Sequence, residues 1–274
     1  MKKFLFLVFT LLIVTAFISK LAFNKEELLI TNVSSSEFFN NTKSGILYNM
    51  TTKEIVFGKN IHQEMLPAST IKILTCITAI LHLNINDYIL VGDWINQVVG
   101  SKMYLSSGDY IDNLSLLYGL MMVSGNDAAM SLAKSYNDDI DDFIKQMNKI
   151  VKYLDLKNTK INNPTGLDEE SSNYTTCYDL AIITAFAYNN NLFKEVFNCK
   201  TKNISIPSNK TFYLRNKHRL IHSNPLVTGG KTGYTKKAGR TLVTTFNKNN
   251  NDYVIITFDA FSDWDIHQKI INHA

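Results

Sequence analysis

Three short polar motifs occur in order along this 274-residue chain. Each holds side chains able to take part in acyl transfer. The first is Ser69-Thr70-Ile71-Lys72. Serine and lysine at i and i+3 share one face of a helix, so the amine can reach the hydroxyl. A serine hydroxyl is a weak nucleophile until a neighbouring base takes its proton. Lysine can be that base only when neutral, and burial at the positive end of a helix pushes its pKa down. Alone, Ser-x-x-Lys recurs by chance in a chain rich in both residues.

The second motif is Ser124-Gly125-Asn126, after the apolar run Leu120 to Val123. By itself it reads as a helix stop with a new N-cap at Asn126. Its chemical reading puts the Ser124 hydroxyl in the proton path to a leaving group, with Asn126 holding Lys72 and a substrate amide. The third is Lys231-Thr232-Gly233, inside Thr228 to Thr235. Glycines in a strand mark close approach of a ligand or another backbone. An extended peptide could add along such an edge, with Lys231 and Thr232 attracting its terminal carboxylate. A phosphate-binding loop is excluded, because no glycine stands five residues before Gly230 and strand-like residues follow.

These motifs need elements to carry them. Ile71 to Leu83 is apolar nearly all round, which predicts a helix buried on all sides. Pro67 suits its start. Gly45 to Asn49 and Glu54 to Gly58 read as two strands joined at Thr51 to Lys53. Apolar residues at helical spacing predict helices over Asp112 to Met122, Asn126 to Tyr136 and Ile140 to Leu154. Thr175 or Thr176 is placed to cap a further helix through Tyr188. Strands are expected over Leu226 to Gly233, Arg240 to Phe246 and Tyr253 to Ala260, the last two joined by a loop from Asn247 to Asp252. Asp263 to His273 closes the chain as a helix. This order predicts an α+β fold: an antiparallel sheet built from both chain ends, flanked by helices, with a helical lobe from about 84 to 200.

With 45% hydrophobic and 19% charged residues the chain is globular, not disordered. A net charge of +4 is too weak a bias to suggest nucleic acid. Cys76, Cys177 and Cys199 form no Cys-x-x-Cys pair, so neither a zinc site nor a redox motif is indicated. Cys76 lies in the apolar helix and reads as core, and a disulfide between two of the three stays open. Lys2 and Lys3 precede the uncharged run Phe4 to Ser19, which reads as an export signal, either cleaved or kept as an anchor. The expected organisation is a signal over 1–23, a connector over 24–43 and one catalytic domain over 44–274.

Together the motifs resemble those of the D-alanyl-D-alanine carboxypeptidases, the low-molecular-weight penicillin-binding proteins. The likeness extends to Pro67 through Thr75, Ser124 through Ala129, Asn163 through Asp168 with Tyr174-Thr175-Thr176, and Gly230 through Thr235 with Ala238-Gly239. It implies the β-lactamase/D,D-peptidase fold and no cofactor. It implies Ser69 as nucleophile, Lys72 as base and Ser124 as proton relay, with Asn126, Lys231, Thr232, Gly233 and Tyr234 binding substrate. The backbone N–H groups of Ser69 and Tyr234 would form the oxyanion hole. The implied partners are peptidoglycan stem peptides and β-lactams outside the cytoplasmic membrane. That family often carries a second C-terminal domain and a membrane tail. With neither after this domain, any membrane hold is expected from Phe4 to Ser19. Two rival readings remain: a β-lactamase, for which Glu169 or Glu170 would have to activate water, and a non-catalytic wall-binding protein.

Overall fold

The computed structural model describes residues 37–168 and 172–274. The expected signal segment, most of the expected connector, Glu169 and Glu170 lie outside the described residues. The expected antiparallel sheet is present. Strands β1 (Thr42–Asn49) and β2 (Glu54–Lys59) come from one end of the described chain. Strands β7 (Val227–Thr235), β8 (Gly239–Lys248) and β9 (Asn251–Ala260) come from the other. They pair in the order β2-β1-β9-β8-β7, so β7 is an edge strand.

Alternation along the strands splits the core between the two faces. Ile46, Val254, Ile256 and Phe258 face one cluster, while Leu47 and Ile255 face another. On the first face lies α1 (Lys72–His82), buried from Lys72 through Ala79 as its all-round apolarity predicts. Around it pack α2 (Asn113–Met122), α3 (Asn126–Tyr136), α4 (Ile140–Tyr153), α5 (Cys177–Tyr188) and α6 (Asn191–Asn198). Caps mark their starts: Asp112 accepts from Ser115 N–H, and Thr176 from Asp179 N–H. On the second face lies α8 (Asp263–His273), with Ile266, Ile270 and Ile271 inward. Short strands β3 (Tyr88–Leu90) and β4 (Tyr110–Asp112) pair beside α2, and α7 (Leu220–Ser223) precedes β7.

One expectation is corrected and one element is added. The loop expected over Asn247 to Asp252 is a two-residue turn: β8 runs to Lys248 and β9 begins at Asn251. Asn249 and Asn250 both have positive φ (52° and 61°), the left-handed pair that matches a hairpin's twist and that asparagine tolerates. Residues 201–215, for which no element was expected, form the hairpin β5 (Thr201–Ile206) and β6 (Lys210–Arg215). The three cysteines are free thiols, which closes the disulfide question.

Candidate active site

Ser69 stands in a 3₁₀ turn, Ala68–Ile71, and α1 begins only at Lys72. The sequence reading placed it on the regular helix. In a 3₁₀ turn residues i and i+3 eclipse, so Ser69 and Lys72 meet even more directly. Lys72 Nζ donates to Ser69 Oγ at 3.0 Å. The turn is braced from several sides. Thr70 Oγ1 and Thr241 Oγ1 both donate to the Pro67 carbonyl, at 2.6 and 3.0 Å. Ala68 has φ +47°, an unfavourable conformation for a residue with a Cβ, held by these contacts. Gly166, at φ +84°, packs so tightly that a Cβ there would lie 2.0 Å from the Ala68 carbonyl oxygen.

Lys72 is fully buried, yet its three donors are satisfied. Besides Ser69 they reach Asn126 Oδ1 at 2.7 Å and the Thr165 carbonyl. Burial, and then the positive charge of Lys217, pull its pKa from 10.5 to about 7, against a weaker opposing pull from Asp127. A substantial neutral fraction therefore exists at neutral pH. Asn126 is not a cap. Gly125 takes the N-cap position, and Asn126 opens α3 with its side chain spanning Lys72 and the Val99 carbonyl (2.7 Å). The capping interpretation of that motif is thus replaced by a role as bridge to the lysine.

Ser124 sits at φ +64° between α2 and α3, and its Oγ accepts from Lys231 Nζ at 2.9 Å. Lys231 also donates to the Thr232 carbonyl at 2.8 Å. Its pKa lies well below the usual lysine range because of burial, then the charges of Lys72 and Lys217. Gly233 is required by close approach: a Cβ there would lie 2.3 Å from Thr241 Oγ1 and 2.9 Å from the Ser69 nitrogen. Strand β7 therefore passes beside Ser69, with Tyr234 two-thirds exposed just beyond. The predicted residues Ser69, Lys72, Ser124, Asn126, Lys231, Thr232, Gly233 and Tyr234 thus converge. Ser69, Ser124, Thr232, Gly233 and Tyr234 line one cleft of about 330 Å³.

Several residues of this cleft escaped the sequence reading. Thr165 contributes only a carbonyl, which no side-chain pattern reveals. Buried Asp127 accepts from the N–H groups of Met103, Tyr104 and Leu105, fixing the segment that carries Ser101 into the cleft. Lys217 reaches Ser101 Oγ at 3.2 Å. Arg219, Arg240, Asp263 and Trp264 form the far wall. Arg240, the one charge in the expected strand Arg240 to Phe246, is the signal the sequence offers.

Residues 31–262 match the family model described as D-alanyl-D-alanine carboxypeptidase. The chain is similar to D-alanyl-D-alanine carboxypeptidase DacF of Bacillus subtilis, 31% identical over 82% of this chain and 59% of that one. It is 30% identical to DacB2 of Mycobacterium tuberculosis over 72% of this chain and 68% of the relative. It thus spans under two thirds of DacF, and 53% of the length of DacA of Haemophilus influenzae. Among solved structures, the D-alanyl-D-alanine carboxypeptidase of Mycobacterium tuberculosis superposes with a TM-score of 0.80 and 26% identity, over 85% of this chain and 90% of that one. The Streptomyces K15 DD-transpeptidase superposes at 0.79 and 25% identity, over 85% and 96%.

Proposed function

We propose, on the premise that this chain belongs to the D-alanyl-D-alanine carboxypeptidase family, that it is a serine peptidase removing the C-terminal D-alanine of peptidoglycan stem peptides. Ser69 Oγ attacks the carbonyl between the two D-alanines, and Lys72 takes its proton. The N–H groups of Ser69 and Tyr234 receive the oxyanion, aimed at charge that develops only in the transition state. The C–N bond breaks, and Ser124 passes a proton to the departing amine. Asn126 holds Lys72 and a substrate amide. Gly233 lets the peptide lie close along the edge of β7, with Lys231 and Thr232 on the carboxylate side. Water then releases the acyl-enzyme. A β-lactam acylates the same serine. The work is done outside the cytoplasmic membrane, with Phe4 to Ser19 as export signal or anchor, and residues 44–274 act as one catalytic domain.

The observation that carries this reading is a buried Lys72 amine, lowered to about 7 and hydrogen-bonded to Ser69 Oγ at 3.0 Å. That is the arrangement a lysine base requires. The test is intact mass after addition of benzylpenicillin, followed over hours, with Ser69→Ala as control. The expected result is a lasting adduct of one penicillin, absent in Ser69→Ala, together with D-alanine release from a D-Ala-D-Ala peptide. A transient adduct with rapid drug hydrolysis would replace this reading with a β-lactamase. Folded protein that forms no adduct would replace it with a non-catalytic wall-binding protein.

A further inference from the structure

Burial alternates without a break along residues 211–220. Phe212, Leu214, Asn216, His218 and Leu220 are buried, while Thr211, Tyr213, Arg215, Lys217 and Arg219 are exposed. Alternation is ordinary in β6, which ends at Arg215, with successive outward side chains about 7 Å apart. Its persistence beyond the strand has a local cause. Asn216 N–H donates to the Lys200 carbonyl and its Nδ2 to the Cys199 carbonyl, each at 2.9 Å. Lys217 N–H donates to the Met122 carbonyl at 2.9 Å, and the His218 ring is held by Thr244 Oγ1 at 2.8 Å. These contacts lock the backbone, so the outward row has a fixed course.

The row is cationic toward its inner end. Arg215, Lys217 and Arg219 line a surface pocket of about 380 Å³ with Asn216 and His222, and no acidic side chain lines it. Among the described residues no carboxylate forms an ion pair with any of the three. Arg240 of the cleft wall differs, since Asp263 offsets it at 2.8 Å. At the outer end Tyr213 is 67% exposed, with Asn203 directly opposite on β5. Tyr213, Arg215 and His222 stand outside the catalytic cleft, whereas Lys217 and Arg219 are shared with it. The pocket therefore opens beside the cleft and continues outward along the hairpin.

We propose that Tyr213, Arg215, Lys217, Arg219 and His222 form a track for a linear phosphodiester polymer of the cell envelope, which holds the enzyme against its wall substrate. The choice of an envelope polymer rests on the peptidase reading above. Unpaired cations at every second residue of a fixed, extended segment suit a chain of regularly spaced negative groups. The guanidinium fork matches phosphate oxygens in particular. The outward residues of the neighbouring β5, Thr201, Asn203 and Ser205, are neutral. The charge thus forms a row rather than a patch, which favours a linear polymer over the flat face of a bilayer.

The test uses the full chain and a fluorescently labelled glycerol phosphate oligomer, read by anisotropy. The oligomer is expected to bind at low ionic strength and to dissociate as salt is added. Arg215→Gln is expected to weaken binding by about tenfold, and Arg215→Lys by less. Arg215 is exposed and lies outside the cleft, so Arg215→Gln should leave D-alanine release from a short peptide unchanged. Oligomer binding that is absent, or that Arg215→Gln leaves intact, overturns the proposal. So does Arg215-dependent binding to phosphatidylglycerol vesicles without binding to the oligomer, which would make the row a membrane contact. If the oligomer binds as expected but the wild-type chain releases no D-alanine, the track stands and the peptidase reading falls.

Discussion

Strands β7 and β8 separate two buried polar clusters. On the α1 face, Lys231 and Gly233 meet Ser69, Lys72, Asn126 and Ser124. On the α8 face, Gly230 backs onto the His218 ring. From there a chain of hydrogen bonds runs from His218 Nε2 to Thr244 Oγ1 at 2.8 Å, and from Thr244 to His267 Nδ1 at 2.7 Å. His267 Nε2 continues it to Thr257 Oγ1 at 3.1 Å. Alternation along a strand thus sends neighbouring residues into two polar interiors. Burial disfavours the charged form in both. It brings Lys72 from 10.5 to about 7, where it can accept a proton under working conditions. It takes His218 from 6.5 to about 3, with a further push from Lys231, and takes His267 well below its usual range. The same physical cause leaves an amine that can change charge near neutral pH on one side and histidines held neutral at neutral pH on the other. The starting pKa decides which.

The strongest way to break this comparison is to remove the switchable group. Lys72→Met keeps the volume and apolar contacts. It should cut the rate of Ser69 acylation by benzylpenicillin by about 10³-fold, the scale of a lost general base. Stopped-flow or quench mass spectrometry would read it, and a loss below about tenfold would remove Lys72 from the role of base.

Next comes pH. On the catalytic side only neutral Lys72 can accept the serine proton. Acylation should therefore rise as pH rises through about 7 and then level off. Lys217→Gln removes a charge that lowers Lys72, so the rising limb should shift to higher pH. A limb that stays in place would show that Lys217 has no hold on the base.

On the histidine side the sign concerns stability. Folded His218 is depressed to about 3 against 6.5 when unfolded, so between these values the unfolded chain binds more protons. Stability present above pH 6.5 should be lost as pH falls toward 3, by an amount on the order of a few kcal/mol. His218→Asn should flatten that acid limb in melting curves. An equally steep limb in the variant would place the titration elsewhere.

The smallest effect marks the contrast with exposed charge. Asp142 bonds Lys145 at 2.7 Å on the outer surface of α4, and the pair lowers the Asp142 pKa and raises that of Lys145. Water screens such pairs. Asp142→Ala should leave both the melting temperature and the acylation rate unchanged within error.

Much of the fold was legible because its signals are local. The all-round apolarity of Ile73 to Ala79 announced a buried helix. The side chains of Asp112 and Thr176 marked helix starts. Asn249-Asn250 was also readable, and would have shortened the expected loop had its left-handed tolerance been weighed. The 201–215 hairpin was legible too, since Ile204 and Ile206 alternate with polar residues before Pro207-Ser208-Asn209, and Phe212 and Leu214 after it, and these four side chains are the buried ones.

At the site, the types and spacing of Ser69, Lys72, Ser124, Asn126 and Lys231 to Tyr234 could be read directly, since short motifs ride on single turns and strands. The Thr165 carbonyl, the Lys217 charge, the Arg240–Asp263 pair and the His218–Thr244–His267 chain could not. Each joins residues from separate elements, and nothing in the spacing along the chain encodes their distance in space.

The sequence by itself determined which groups are available for chemistry and which elements carry them. Only the tertiary structure decided that Ser69 sits in a 3₁₀ turn, that Asn126 bridges to a lysine and that Lys231 points inward. It alone decided which buried amine is lowered into a useful range. Hydrogen-bond direction and pKa depend on desolvation and on charges a few ångströms away through space, and those neighbours exist only after the chain has packed.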